Sequence, residues 1–189
     1  MVRRLRIDDL TAFVSVSDPQ ISPSLDKVAF VTVRADEERD DYESTLWIVN
    51  RSDGAPVRFL SGWKDRNPRW STDGRQLLFV SNRGMKEGER GAVLHVSPVY
   101  GGEPRPILRM ESGISQPSWS VDGRRAYFVS GVGEPEGDVK VIDRIPLWSD
   151  AAGFSYHRRR HLQVVDVASG VVRGLTEGEM DVTCYAASN

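Results

Sequence analysis

The chain has 189 residues, 39% hydrophobic and 28% charged, the balance of a soluble globular protein and not of a disordered one. A formal net charge of −2 gives no general attraction to nucleic acid or to anionic membranes, so neither is expected as a partner. The single cysteine, Cys184, excludes an intrachain disulfide framework and fits a reducing compartment, so a cytoplasmic location is expected.

The N-terminal stretch MVRRLRIDDLTAFVSVSDP begins basic, but Asp8, Asp9, Ser15 and Ser17 interrupt its apolar run. It is too broken for a secretory leader and too short to span a bilayer. Residues 1–18 read as a lead-in segment with a short helix at IDDLTAF.

From Pro19 the chain repeats itself. Residues 68–83, PRWSTDGRQLLFVSNR, and 117–132, PSWSVDGRRAYFVSGV, agree at nine of sixteen positions and start 117 − 68 = 49 residues apart. A degenerate copy, PQISPSLDKVAFVTVR, starts at Pro19, and 68 − 19 is again 49. Such a fixed period is the signature of a repeat architecture. Pro19, Pro68 and Pro117 lack an N–H, which suits the first residue of a strand. An Asp-Gly pair then marks a hairpin turn, at Asp73-Gly74 and Asp122-Gly123. In the first copy Leu25 takes the glycine position, so that turn is expected to differ.

Second strands follow at QLLFVSN and RAYFVSG, rich in residues that suit a pleated, half-buried surface. Third strands are TLWIVN (45–50), AVLHVS (92–97) and HLQVVDV (161–167); fourth strands are PVRFL (56–60), PRPIL (104–108) and VVRGLT (171–176). The charge-dense ADEERDDYE (35–43) reads as a solvated excursion between strands. PVYGGEP (98–104) reads as a turn, since no G-K-[ST] follows to make a phosphate loop.

The third unit carries an insertion, residues 139–160, between its second and third strands. It mixes Trp148, Phe154 and Tyr156 with charges, as partner-facing surfaces do. It ends in HRRRH (157–161), where His157 and His161 stand at i, i+4 without the Glu of H-E-x-x-H. Three arginines there suit a carboxylate partner; a solvated basic loop is the plainer alternative. GFSYH (153–157) is the nearest approach to a G-x-S-x-G nucleophile elbow, but His157 replaces the second glycine. No catalytic residue, metal site or cofactor is expected in this chain.

Four antiparallel strands per unit predict an all-β fold, a partial β-propeller of about three blades plus the start of a fourth at DVTCYAASN. Residues 19–189 then form an incomplete propeller with units starting near 19, 68, 117 and 182. The alternative is a β-sandwich with Trp70 and Trp119 as ordinary core. Three blades leave open sheet edges that invite pairing with another chain, a homo-oligomer included. The chain is therefore expected to be part of something larger.

In VSDPQISPSLDKVAFV (16–31), PRWSTDGRQLLFVSNRG (68–84), GGEPRPI (101–107) and HLQVVDVASGVVRGLTEGEMDV (161–182), the sequence resembles the prolyl oligopeptidase family of serine peptidases, in its acylaminoacyl-peptidase-like branch. The resemblance implies an N-terminal propeller over a separate α/β-hydrolase domain, which is absent here, gating access of short peptides to it. It also suggests that Tyr156, Arg158 and Arg160 contact the peptide or the missing domain. A non-catalytic TolB-like or WD40-like scaffold that binds proteins remains the alternative.

Overall fold

The computed structural model describes residues 4, 6–86, 88–133, 148–149, 153–154 and 158–187. A 3-10 turn at Ile7–Ala12 leads into three four-stranded antiparallel sheets in chain order. The first blade is β1 (Val14–Ile21), β2 (Lys27–Asp36), β3 (Asp41–Asn50) and β4 (Pro56–Arg58). The second is β5 (Arg66–Trp70), β6 (Gln76–Ser81), β7 (Ala92–Pro98) and β8 (Arg105–Met110). The third begins with β9 (Ser115–Trp119) and β10 (Arg125–Val132). A two-stranded hairpin, β11 (Trp148–Ser149) and β12 (Gly153–Phe154), lies in its insertion, and β13 (Arg159–Asp166) and β14 (Val172–Gly174) complete it. Each sheet is a simple meander, the construction of a propeller blade.

The repeated Ser-x-Asp-Gly is a turn built around its serine. Ser71 N–H donates to the Gln76 carbonyl, Gln76 N–H to Ser71 Oγ (2.9 Å), and Ser71 Oγ–H to Asp73 (2.6 Å). Ser120, Asp122 and Arg125 repeat this, with Arg125 N–H to Ser120 Oγ at 2.9 Å. These hydroxyl bonds hold both aspartates below their usual range. Gly74 (φ 67°) and Gly123 (φ 66°) occupy the left-handed region, which glycine enters without steric cost.

The first blade corrects an expectation. Leu25 adopts φ 60° and donates its N–H to the Ser22 carbonyl at 2.9 Å, as Gly74 does to Ser71. The turn is therefore the same, held by Ser22, whose hydroxyl accepts from Lys27 N–H and donates to Asp26. Leucine tolerates the strained φ because its side chain is exposed and the turn's bonds over-determine the backbone.

The prolines are corrected too. Pro19, Pro68 and Pro117 lie inside β1, β5 and β9, at breaks in register, and do not begin the strands. The preceding residues, Asp18, Asn67 and Gln116, take φ between 50° and 54°. A bulge leaves its extra residue out of the ladder, so the missing proline N–H goes unneeded there. The expected excursion at 35–43 shrinks to a turn at 37–40, because β2 and β3 extend to Asp36 and from Asp41. Glu43 is buried between Arg34 (2.6 Å) and Arg58 (3.2 Å).

Blades stack face to face. Successive strand residues point to opposite faces, and in β6 Leu77, Leu78, Phe79 and Val80 are all buried. Leu78 and Val80 pack with Leu94, Val96, Ala126, Phe128 and Val165 toward the third blade. Leu77 and Phe79 pack with Ala29 and Leu46 toward the first. Trp119 is part of the former cluster and Trp70 lies against the latter, so both indoles fill spaces between blades. This places them in a propeller stack and removes the sandwich reading.

Candidate functional site

The first strands of the blades lie side by side, β1 beside β5 and β5 beside β9, and form the inner face of the stack. Their prolines cannot donate to a ladder, and the bulges re-aim the residues before them, Asp18, Asn67 and Gln116, which are half-buried and polar. Asp18 accepts from Arg69 Nη1 at 2.9 and 2.8 Å and from Asn67 Nδ2 at 3.2 Å, tying the first two blades together. Gln116 Nε2 donates to the Thr183 carbonyl at 2.7 Å.

The recurring tryptophans stitch the same strands. Trp70 Nε1–H donates to the Gln20 carbonyl (2.8 Å), and Trp119 Nε1–H to the Arg69 carbonyl (3.0 Å), one repeat apart. Each carbonyl follows a bulge proline, so the bond satisfies a group the irregular ladder leaves open. Past the third blade, Tyr185 donates to the Gln116 carbonyl (2.5 Å) and pairs with Ser118 Oγ (2.8 Å). Burial pushes its phenol up. Val182 N–H donates to the Arg160 carbonyl as Asp65 N–H does to Ser44.

At one end of this face Asp65 is fully buried against the Arg83 fork, with Nε at 3.1 Å and Nη2 at 2.7 Å. A side chain at Gly62 would collide with the Asp65 carboxylate, so glycine is required there. The Arg83 guanidinium lies 6.0 Å from the Phe79 ring centre, and Phe79 stacks on His95 at 5.3 Å. Burial pushes His95 below its ordinary value of 6.5 and keeps it neutral. His95 also lines an open groove of about 400 Å³ with Arg83, Glu103, Pro106 and Arg109.

Of the residues the sequence singled out, Tyr156 lies outside the described residues, as do Ser155 and His157. Arg158 is exposed. Arg160 is brought to the inner face, its Nη2 donating to Ser115 Oγ at 3.1 Å. His161 is a satisfied core residue. Nε2–H donates to the Gly178 carbonyl (3.1 Å), so Nδ1 accepts from Thr176 Oγ1 (3.3 Å), which itself accepts Leu162 N–H (3.0 Å). His161 is thus buried on β13 with both ring nitrogens hydrogen-bonded, and the expected solvated basic loop does not extend to it. The residue that sequence reasoning missed is Arg66, whose signal was its phase. It falls 49 residues after Ser17 and 49 before Ser115, an arginine where both other repeats have serine.

No family model matches the chain. It is 38% identical over 117 residues to the uncharacterized peptidase YuxL of Bacillus subtilis (strain 168), covering 61% of this chain and 17% of that protein. The solved Pyrococcus horikoshii acylaminoacyl peptidase superposes over 86% of this chain and 25% of its own, with TM-score 0.69 and 25% identity. The chain matches the propeller portion of acylaminoacyl-peptidase-like proteins. The β-propeller domain of the Trilobed protease from Pyrococcus furiosus shares the fold over 92% of this chain and 45% of its own, with TM-score 0.56 and 20% identity. The propeller portion described here thus spans about a quarter of the acylaminoacyl peptidase and less of YuxL. Among the described residues no helix is long and apolar enough to cross a membrane.

Proposed function

We propose that this propeller portion controls access to an α/β-hydrolase domain carried outside these residues or on a companion chain, admitting short peptides. The inner face carries the reading: ordered first strands, cross-braced by Asp18–Arg69 and the two indoles, offer a polar, stiff surface instead of a second hydrophobic core. The likeness to an acylaminoacyl peptidase supports it. Residues 1–13 serve as lead-in and 14–189 as part of the propeller domain, since β1 of the first blade starts at Val14 and not at Pro19. Tyr156, Arg158 and Arg160 contact the peptide or the hydrolase domain, in the cytoplasm. Pairing of the open edges with a second copy is part of the same proposal.

Incubated alone with acyl-amino-acid and peptide chromogenic substrates, the chain gives no rate above buffer. Reconstituted with a hydrolase domain, it restricts cleavage to short peptides. Turnover by the chain alone, or equal cleavage of short peptides and casein by the reconstituted enzyme, overturns the proposal.

A further inference from the structure

We propose that Arg66, with Arg160 of the neighbouring blade, is a binding site for the free carboxylate of a short peptide. The inference rests on the access reading above for its choice of ligand. Its physical basis is separate.

Ser17, Arg66 and Ser115 occupy one structural position. They pair with Val31, Val80 and Val129 respectively, each on the N-terminal side of its blade's bulge. Two blades fill this position with a small hydroxyl, and the second fills it with a guanidinium. Several other arginines meet carboxylates. Arg69 meets Asp18, Arg83 meets Asp65, Arg34 and Arg58 share Glu43, and Arg109 meets Glu89. The Arg66 side chain makes no hydrogen bond or ion pair with any described residue, although it is half-buried. Burial alone acts on its ionisation and pushes it down from the ordinary arginine value. A cation removed from water without a counter-charge destabilises a fold. Charges held out of water without a partner gather at functional sites.

The neighbouring strand supplies a second cation. Arg160 reaches Ser115, the counterpart of Arg66 on β9, and its guanidinium has no carboxylate partner among the described residues. β5 and β9 run side by side, with Arg66 and Ser115 at the same repeat position on them, so the proposed site draws on a cation from each of two neighbouring blades. Arginine's planar fork matches a carboxylate in two parallel hydrogen bonds. On the access reading, a short peptide's C-terminus is the carboxylate that would meet these arginines.

Isothermal titration calorimetry of the 189-residue chain with N-acetyl-dialanine and its C-terminal amide tests this. The free acid is expected to bind at least tenfold more tightly than the amide, and Arg66→Gln to bring the acid down to the amide. Arg66→Gln is also expected to unfold in urea at the same midpoint or a higher one, which a structural arginine would not do. Equal binding of acid and amide, a lowered midpoint, or inorganic phosphate bound as tightly as the acid overturns the proposal. Turnover by the isolated chain sinks the access reading but leaves the difference between acid and amide standing, so the two failures are distinguishable.

Discussion

The first and second blades are built from in-phase repeats, yet they live in different surroundings. In the second blade β6 and β7 have both faces covered; Leu77, Leu78, Phe79, Val80 and Leu94 are all 0% exposed. In the first blade the face carrying Ala29, Val31 and Leu46 is covered, whereas on the other Val16 (66%) and Ile21 (64%) stand in water and only Glu43 and Thr45, among the described residues of β2 and β3, are buried. Phe30 and Trp47, directly paired on that outer face, are half-buried. Burial here depends on rank in the stack. A blade's sequence supplies two apolar faces, and its neighbours decide how many are dry.

Truncation should expose this difference most strongly. Phe79→Ala, in the sandwiched blade, is expected to cost about 3–5 kcal/mol in urea unfolding, the transfer term plus the cavity left behind. Phe30→Ala, on the less covered face, should cost about 2 kcal/mol, since part of its surface is still in water. Equal losses at the two sites would break the comparison.

A pH series sharpens it. His95, buried in the second blade, has a folded pKa below its unfolded value of 6.5. The unfolded chain therefore binds the extra proton first. Stability should be constant above pH 6.5 and fall as pH drops from there toward the folded pKa, by at most about 1.4 kcal/mol per unit. His95→Gln should flatten that slope; an unchanged slope would show that the proton goes elsewhere.

The smallest effect belongs to the first blade's turn. Leu25→Gly should stabilise the chain by about 1 kcal/mol, because leucine is held at φ 60° where glycine carries no penalty. A loss of stability would mean that the exposed leucine has contacts worth more than its backbone strain.

Much of this architecture was legible beforehand because it rests on short-range chemistry. The Ser-x-Asp-Gly turn closes within six residues, and the spacing of 49 announced the blades before any contact was seen. The insertion after the second strand of the third unit was equally visible, since it breaks that period. The prolines were harder. A missing N–H suits either a strand's start or a bulge, and only the register of β5 on β6 distinguishes them. Leu25 misled for a related reason: residue preference argued against a left-handed turn that the Ser22 bonds impose.

The candidate site divides along the same line. Arg160 stood out as one of three adjacent arginines, whereas Arg66 stands among Arg66, Arg69 and Lys64, any of which looks like a solvated charge. Their fates differ because partners come from other blades: Asp18, from the preceding repeat, neutralises Arg69, while Arg66 meets no counter-charge among the described residues.

By itself the sequence determined the strands, the turns and the repeat, because these depend on neighbours in the chain and on the two-residue period of a pleat. Only the tertiary structure decided which apolar faces are dry, which strained residue is held, and that half-buried Arg66 has no counter-charge among the described residues. Those outcomes depend on groups some fifty residues away, brought together when one blade packs on the next.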